Sequence, residues 1–289
     1  MSNILLLYNR QSGRQQSEHT IDAVSAVFEQ AGEVVCIRSI NFESNPFEDI
    51  EEIDYVVVAG GDGSVGYVVD KMLHHGIHLP LGIIPAGTAN DFAGAIGMSK
   101  NPIEAARQIA TGEIDHLDFG RVNDLYFVNI LSFGLFTTTS QRTSDERKHR
   151  WGKLAYIAEG LKELRRMHRI PLEVEADGQK LSIGALIVLI FNGETAGGFH
   201  LARRSSVKDG LFDVLLLEKR HFLRSCWAMI RFLLGGNPRS VKQLRAAKLR
   251  LETPNQELTD VDGQRGAEFP LEIECLKGAL QIQCPKAKQ

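Results

Sequence analysis

The sequence predicts a two-part fold, with a parallel α/β unit over residues 1–118 and a mostly antiparallel β-sandwich with helical insertions over residues 119–289. In the first part, short apolar runs alternate with segments of helical spacing, which is typical of a parallel sheet covered by helices. Beyond residue 118, apolar runs follow one another closely and are separated by Asp-Gly turn pairs, which indicates antiparallel strands. The last strand could return to the first part.

The elements of the first part follow from apolar spacing and from glycines that end helices. An apolar strand at 3–8 leads to a helix at 17–31, in which apolar residues recur every three or four positions up to Gly32. The other predicted elements are strands at 34–39, 55–59 and 81–84 and helices at 64–75 and 101–111.

The second part is predicted to hold many short strands and two helical insertions. The strands are placed at 121–122, 126–132, 172–176, 179–191, 212–218, 248–253, 256–261, 269–275 and 280–284. The insertions are placed at about 144–169 and 220–236. Nothing in the pattern indicates an internal repeat.

Composition excludes several classes of protein. The net charge of −3 over 289 residues does not favour nucleic acid as a partner. The four cysteines are far apart and form no pair with metal-ligand spacing, so we expect neither a zinc site nor a disulfide framework. No apolar run approaches the ~18 residues of a membrane-spanning helix, and no signal peptide precedes the first strand. We expect a cytoplasmic protein.

The Gly-Gly-Asp-Gly sequence at 60–63 is the most informative motif. It follows an apolar strand and precedes a helix, where glycines let backbone N–H groups approach a phosphate. Asp62 would repel phosphates unless a divalent cation lies between them, so the motif predicts a metal–nucleotide site. The spacing Gly61-x-Gly63-x-x-Gly66 also fits a dinucleotide fingerprint, but the next strand lacks the acid which that pattern requires.

Two further loops follow strands of the same predicted sheet. At 87–92, Thr88 and Asp91 bring a hydroxyl and a second carboxylate to the edge that carries Asp62, although a simple helix cap has the same spacing. The loop 9–14 could hold adenine, ribose or phosphate, or could be an ordinary polar connection. Asp-Phe-Gly at 118–120 matches a protein-kinase tripeptide, but the other protein-kinase motifs are absent and we place it at the junction of the two parts.

Six motifs occur in a fixed order and together carry a resemblance. They are Gly-Gly-Asp-Gly at 60–63, Leu-Gly-Ile-Ile-Pro-Ala-Gly-Thr-Ala-Asn-Asp-Phe at 81–92, Asp-Phe-Gly at 118–120, Asn-Gly at 192–193, Ser-Val-Lys-Asp-Gly-Leu at 206–211 and Val-Asp-Gly at 261–263. The set resembles the diacylglycerol-kinase catalytic domain family, and specifically its bacterial soluble lipid kinases, which are related to sphingosine kinases. The resemblance covers almost the whole chain.

The resemblance implies an enzyme in which ATP and a lipid meet in the cleft between two domains. It assigns ATP binding to loop residues at strand ends: Asn9, Ser12, Gly13, Arg14, Ser39, Gly60, Gly61, Asp62, Gly63, Ser64, Gly66 and Thr88. It implies that Asp62 and Asp91 orient Mg²⁺ and the phosphates. It also implies a structural Mg²⁺ in the second domain, held by Asp209 and the backbone carbonyls of Ser206 and Leu211.

One departure from the family pattern bears on catalysis. The family has Asp-Gly-Glu where this chain has Asp262-Gly263-Gln264, and its general base is placed on the Asp or on the Glu. Glutamine cannot accept a proton at neutral pH, so Asp262 is the base that the resemblance leaves, and Gln264 marks the position of the family's Glu.

Three functions remain open on the sequence. The first is an ATP- and Mg²⁺-dependent kinase that phosphorylates the hydroxyl of diacylglycerol or a related lipid. The second is an NAD kinase, which also uses a Gly-Gly-Asp-Gly loop, although the motifs at 87–92 and 209–211 argue against it. The third is a weakly active nucleotide-binding regulatory protein at the membrane, which the Gln264 departure keeps open.

Basic and apolar segments predict peripheral association with a membrane surface. Residues 219–250 hold nine Lys or Arg residues and no acid, and include a run of large apolar side chains at 222–234. Residues 142–169 hold nine bases against four acids and could share this role. A helix packed into the core is the alternative for 222–234. An exposed edge strand of the sandwich leaves a homodimer open.

Overall fold

The computed structural model describes residues 1–10, 18–50, 52–134, 168–193, 195–196, 199–200, 206–233 and 235–286. The predicted insertion at 144–169 lies outside these residues except for its last two positions. Three of the predicted ATP-binding residues, Ser12, Gly13 and Arg14, also lie outside them.

The first half is a parallel sheet with helices, as the sequence predicts. Its strands are β1 (Asn3–Tyr8), β2 (Val34–Ser39), β3 (Tyr55–Gly60) and β4 (Leu81–Pro85), and its helices are α1 (Glu18–Gln30), α2 (Asp62–His74), α3 (Asp91–Ala95) and α4 (Pro102–Ala110). The order across the sheet is β4, β3, β1, β2, and each neighbouring pair is parallel. Strands β3 and β4 are buried along their whole length, which explains why they read as continuous apolar runs.

The helix ends show why these segments begin where they do. The Oδ1 of Asn101 accepts hydrogen bonds from the N–H groups of Ile103 (3.0 Å) and Glu104 (3.1 Å), and Pro102 occupies the first turn of α4. Helix α2 begins at Asp62, two residues before the predicted start, so the carboxylate of the glycine loop lies in the first turn of the helix.

The second half is built from antiparallel strands. Its strands are β5 (Glu113–Val122), β6 (Leu125–Phe127), β7 (Ile130–Phe133), β8 (Ile170–Ala176), β9 (Gln179–Phe191), β10 (Thr195–Ala196), β11 (Phe199–His200), β12 (Phe212–Glu218), β13 (Val241–Ala246), β14 (Lys248–Glu252), β15 (Thr259–Val261), β16 (Gln264–Arg265) and β17 (Leu271–Cys284). A helix, α5 (Phe222–Leu233), lies within the predicted insertion at 220–236.

Three strand predictions are corrected by the structure. The predicted strand at 126–132 is two strands, because the N–H groups of residues 128–130 donate to a carboxylate instead of continuing the ladder. The predicted strand at 256–261 begins only at Thr259. The predicted strands at 269–275 and 280–284 form the single long strand β17, with a register irregularity around Gly278, whose φ is 60°.

Strand β17 joins the two halves into one hydrogen-bonded sheet. Its first part pairs with β14, its last part pairs in parallel with β4 at Ile282 and Leu81, and β5 runs antiparallel to it from Val122 to Glu113. Within the described residues, fifteen strands belong to this sheet. The side chains of Leu280 and Ile282 belong to the hydrophobic core of the first half, whereas Leu271 and Ile273 belong to the core of the second.

Candidate active site

The carboxyl ends of the parallel strands meet at one edge of the sheet. The register places Tyr8 opposite both Ser39 and Ala59, and Gly60 opposite Pro85, so the loops that follow these strands are neighbours. Predicted ATP-binding residues from all four of these strands are therefore brought to the same edge. Open parallel sheets bind their ligands at this edge.

The glycine loop turns too tightly onto α2 for a side chain at its first position. The Nδ2 of Asn9 donates a hydrogen bond to the Oγ of the buried Ser64 at 3.0 Å. A Cβ placed on Gly60 would lie 2.5 Å from the Cβ of Ser64. Glycine at this position therefore allows the chain to turn directly into α2 with the Ser64 hydroxyl held against Asn9.

The second loop packs directly on the first. A Cβ on Gly87 would lie 2.4 Å from the Cα of Gly61, and a Cβ on Gly61 would lie 3.0 Å from the Cα of Gly87, so the glycines allow the two loops to pack closely. Asn90 stabilises the turn before α3: its φ is 53°, its Oδ1 accepts from the Gly87 N–H at 2.8 Å, and its Nδ2 donates to the Gly87 carbonyl at 2.9 Å. Thr88 is exposed on this turn, and Asp91 begins α3.

The carboxylate of Asp62 links these two loops. Its Oδ1 accepts hydrogen bonds from the backbone N–H of Phe92 (3.1 Å) and from the Nδ2 of Asn129 (2.9 Å). Its Oδ2 makes no hydrogen bond with the residues that the structure describes. The arrangement holds one oxygen against the protein and leaves the other for a ligand. The prediction that Asp62 and Asp91 share one edge of the sheet agrees with this contact, because Phe92 is the residue next to Asp91.

The candidate base, Asp262, lies in a cradle of backbone N–H groups. Its Oδ2 accepts from Val128 at 2.7 Å, and its Oδ1 accepts from Asn129 at 3.0 Å and from Ile130 at 2.9 Å. The residue has a φ of 49° and is almost entirely buried. A Cβ on Gly66 would lie 2.9 Å from its Oδ2, so the glycine in the second turn of α2 makes room for this carboxylate.

Burial raises the pKa of the Asp262 carboxyl from 3.8 to about 7. The three backbone hydrogen bonds oppose this shift, and the negative charge of Asp62 adds to it. A carboxyl with a pKa near neutrality can exchange a proton under physiological conditions, which is the property that a general base needs.

The hairpin formed by β15 and β16 closes over the glycine loop. The Nε2 of Gln264 donates to the Gly63 carbonyl at 3.3 Å, and a Cβ on Gly63 would lie 3.5 Å from the carbonyl oxygen of Asp262. A cavity of about 60 Å³ lies beside this contact and is lined in part by Gly66, Asp262 and Gln264. The two halves of the protein therefore meet at the glycine loop, where Asn129 contacts both Asp62 and Asp262.

Asn129 is a site residue that the sequence analysis did not identify. Its side chain donates to Asp62 and its backbone N–H donates to Asp262, so one buried residue contacts an acid from each half of the protein. The available signal was a polar residue inside the apolar sequence Tyr-Phe-Val-Asn-Ile-Leu. That signal is weak, because buried asparagines also occur as ordinary structural residues.

Asp118, in the tripeptide placed at the junction, proves to be fully buried. Its carboxylate accepts hydrogen bonds from the N–H groups of Gly210 and Gly278, and its own N–H donates to the Val207 carbonyl at 2.7 Å. The Nδ2 of Asn192 donates to the Asp118 carbonyl at 2.7 Å. Asp118 therefore fixes the 206–211 loop against β17.

The predicted structural metal site shows a different arrangement of charge. The Oδ1 of Asp209 accepts from the Leu211 N–H at 3.0 Å, and its Oδ2 pairs with the guanidinium of Arg245, which also lies 3.5 Å from Asp213. The Ser206 hydroxyl accepts from the Lys208 N–H at 3.3 Å. A guanidinium already neutralises the carboxylate that a cation would use, so this loop fits Mg²⁺ poorly. The metal role of Asp209 stays a prediction.

A second cavity lies away from these loops. It measures about 930 Å³ and is lined by β5, β8, β14 and β17. Its Arg121 and Lys248 both pair with Glu274, and its Arg250 pairs with Glu272. Its charges are largely satisfied by one another, so we do not place the active site there.

The residues that the structure describes lack two features that bear on function. They contain no group of three His, Cys, Asp or Glu side chains arranged for a metal ion. They also contain no helix that is long and apolar enough to span a membrane.

A glycine loop with acids at the edge of a parallel sheet, closed by a hairpin from a β unit, defines a two-part kinase fold. Two family models match the chain: the diacylglycerol kinase catalytic domain over residues 3–122, and the YegS C-terminal NAD kinase beta sandwich-like domain over residues 129–284. The chain belongs to this diacylglycerol-kinase family. The prediction of a lipid kinase and the predicted fold class are confirmed at this level.

Individual relatives match over almost their whole length. Diacylglycerol kinases from Bacillus subtilis (strain 168) and Staphylococcus carnosus (strain TM300) are 29% and 27% identical to this chain, cover 100% and 97% of it, and are themselves covered over 98% and 94%. The crystal structure of a diacylglycerol kinase from Bacillus anthracis str. Sterne has the same fold, with a TM-score of 0.80 at 23% identity over 99% of this chain and 98% of that one.

Proposed function

We propose that this protein transfers the γ-phosphoryl group of ATP to the hydroxyl of diacylglycerol or a related lipid, with Mg²⁺ as cofactor. The observation that carries the proposal is the contact network of Asn129, which joins Asp62 at the glycine loop to the buried Asp262 of the closing hairpin. Phosphoryl transfer to an alcohol uses a carboxylate near the nucleotide, which can hold Mg²⁺. It also uses a base with a pKa near 7, which can accept the proton of the alcohol.

The nucleotide phosphates would lie at the first turn of α2. Gly60, Gly61 and Gly63 place no side chain between the backbone and a bound phosphate, and the Ser64 hydroxyl is oriented by Asn9. Asn9, Ser39 and Thr88 would contact the nucleotide from neighbouring strand ends. Residues 12–14 would complete this site, as the resemblance implies.

Asp62 and Asp91 fit a magnesium site. Mg²⁺ is commonly held by one or two carboxylates together with substrate phosphates, so a cluster of three protein acids is not needed. The open Oδ2 of Asp62 is a hard oxygen ligand of the right kind. When bound, Mg²⁺ would offset the charge of the β- and γ-phosphates.

Asp262 would accept the proton of the lipid hydroxyl during transfer. Its cradle of N–H groups fixes the carboxylate, and burial keeps its pKa near 7. Gln264 would position the hairpin on the glycine loop through Gly63 without taking part in proton transfer.

The test is an acceptor screen with labelled ATP and Mg²⁺. Diacylglycerol, monoacylglycerol, ceramide and sphingosine in mixed micelles are compared with NAD in solution. We expect labelled phospholipid from diacylglycerol, and no product with the Asp62→Asn variant. Labelled NADP in place of a lipid product would favour the NAD kinase alternative.

A protein with ATP binding but no turnover would support the regulatory alternative. The Gln264→Glu variant then has a direct use, because it restores the family's Glu at this position. If that variant alone gives phospholipid, the missing activity is assigned to Gln264. If neither protein turns over any acceptor, the kinase proposal is wrong for this chain.

We further propose peripheral association with a membrane, through the predicted segments 142–169 and 219–250, and no nucleic acid as a partner. A lipid hydroxyl is reached at a bilayer surface, which requires the cleft to approach that surface. An edge strand of the second half, such as β13, which pairs with β12 alone among the described strands, leaves a homodimer open, and analytical ultracentrifugation decides that point.

A further inference from the structure

The outer face of α5 carries large apolar side chains in water. Trp227 is 56% exposed and Ile230 is 43% exposed, and both lie on one helix of twelve residues. Exposed tryptophan on a helix that already has a buried face is unusual for a surface that contacts only solvent.

The inner and outer faces of the helix are clearly separated. Ser225 and Ala228 are buried, and Phe232 packs against the cluster of Phe191 and Leu215, where Ile130 also packs. The inner face therefore packs on the same apolar cluster as β7, the strand that begins at Ile130, whose N–H donates to Asp262. The helix is partly core-packed, as the alternative reading of the sequence expected, but this leaves a second face uncovered.

The outer face combines these apolar groups with arginines. At 100° per residue, Arg224, Trp227, Ile230 and Arg231 fall within an arc of about 120°. The guanidinium of Arg231 lies 5.0 Å from the centroid of the Trp227 ring. Arg224 is also exposed and lies two turns before Arg231, about 20° from it around the helix axis.

The surroundings of this face are positively charged. Residues 219–250 contain no acid, and Arg224, Arg231, Arg239 and Lys242 form no ion pair with any acid in the described part of the chain. Four other bases of the segment differ in this respect, because Arg220, Arg245, Lys248 and Arg250 pair with acids from outside it.

We propose that the α5 face, defined as Arg224, Trp227, Ile230 and Arg231, docks on a bilayer that contains anionic lipids. The proposal rests on the proposed function, because a lipid acceptor gives docking its purpose. A tryptophan suits the headgroup level of a bilayer, and unpaired arginines gain energy from anionic headgroups. A stable protein interface buries about 800 Å² on each partner, which two apolar side chains do not supply.

Vesicle binding tests the α5 face directly. Binding is measured by flotation with vesicles of phosphatidylcholine alone and with phosphatidylglycerol added. We expect binding to the anionic vesicles only, weakened at least about tenfold by Arg224→Glu with Arg231→Glu and by Trp227→Ser with Ile230→Ser. Matched controls at exposed positions elsewhere, Arg107→Glu and Ile114→Ser, should bind as the unchanged protein does.

Tryptophan fluorescence gives an independent readout. The chain has two tryptophans, so Trp151→Phe leaves Trp227 as the only one. We expect a blue shift of its emission with anionic vesicles and quenching by brominated acyl chains. Equal binding to neutral vesicles, an unshifted spectrum, or full vesicle binding by both double variants would overturn the proposal.

Activity separates this proposal from the proposed function. In mixed micelles, the α5 double variants should phosphorylate diacylglycerol as fast as the unchanged protein does. In anionic vesicles, they should lose turnover. Absence of turnover in micelles with the unchanged protein would contradict the kinase, not the docking face. If the unchanged protein dimerises and Trp227→Ser abolishes the dimer, a second copy covers this face and the proposal is wrong.

Discussion

At the residue scale, Asn129 is where the two acids of the site are connected. Asn129→Ala removes the donor to Asp62 but keeps the backbone N–H that binds Asp262. We expect kcat/KM for MgATP to fall about ten- to hundredfold, because a hydrogen bond to a charged group contributes roughly 1.5–3 kcal/mol. Steady-state kinetics at varied Mg²⁺ measures the effect. The exposed Asn237→Ala variant is the control, and an unchanged Asn129→Ala enzyme would remove this positioning role.

The raised pKa of Asp262 predicts a pH dependence of the reaction. With a pKa of about 7, this carboxyl is increasingly protonated below neutrality and cannot accept the lipid proton. We expect kcat/KM to rise with pH up to about 7 and to level off above it. Asp262→Asn should abolish turnover. A flat profile between pH 5.5 and 8.5 in the unchanged enzyme would argue that another group is the base.

The raised pKa of Asp262 also makes the free energy of unfolding depend on pH. A carboxyl whose pKa is higher in the folded protein than its unfolded value of 3.8 binds more protons when folded. Its contribution to the free energy of unfolding is therefore greatest below about pH 4 and is lost as the pH rises through about 7. Urea unfolding at several pH values measures this slope. Asp262→Asn should weaken it, and should itself cost about 1–3 kcal/mol, because an amide NH₂ would face a backbone N–H donor.

Because Arg245 pairs with Asp209, we expect the 206–211 loop to be stable without a divalent cation. Because the guanidinium of Arg245 already pairs with Asp209 and contacts Asp213, EDTA should change the melting midpoint of the nucleotide-free protein by less than about 2 °C. Arg245→Gln should lower the midpoint, and Mg²⁺ should restore part of the loss. If EDTA destabilises the unchanged protein and not Asp209→Asn, then Asp209 does hold a metal, as the resemblance implies.

At the element scale, the glycine loops could be predicted and the connection at Asn129 could not. Gly60 to Gly63 and Asp62 are adjacent in sequence, so the phosphate-binding role predicted for them rests on a local pattern. Asn129 acts on partners 67 and 133 positions away, and only the packing of both halves brings them together. The strand break at residues 128–130 has the same origin, since its cause is a carboxylate from a distant hairpin. The contacts of Arg245 with Asp209 and Asp213 likewise depend on the pairing of β12 with β13.

A substitution in helix α2 tests whether this helix is held against Asp262. Alanine is favoured over glycine inside a helix by about 1 kcal/mol, yet a Cβ on Gly66 would lie 2.9 Å from the Asp262 Oδ2. Gly66→Ala should therefore destabilise the protein, by about 1–3 kcal/mol, and reduce turnover. Gly94→Ala in α3 is the matched control, since no atom lies within 4 Å of its Cβ position. If both variants unfold at the same urea concentration, α2 is not held against Asp262 in solution.

At the scale of the whole molecule, β17 makes the two halves depend on each other. Its last residues pair with β4 and β5, and Leu280, Ile282 and Cys284 contribute to the core of the first half. The predicted boundary near residue 118 thus separates two parts of the sequence that share one sheet. Removing residues 280–289 exposes an edge of β4 and removes three buried side chains from that core.

We therefore expect a protein truncated after residue 279 to lose the fold of the first half, and with it the proposed nucleotide site. Each large buried side chain removed from a core costs about 2–5 kcal/mol, and three such losses approach the 5–15 kcal/mol by which a typical protein is stable. Circular dichroism and ATP binding measure the result. A truncation after residue 286 is the control, since it keeps every paired residue of β17. A synthetic peptide of residues 271–286, added to a fragment of residues 1–122, should restore helical signal, because β5 and β4 then regain their partner. If the fragment folds and binds ATP alone, the first half is autonomous and the continuity of the sheet has no energetic role.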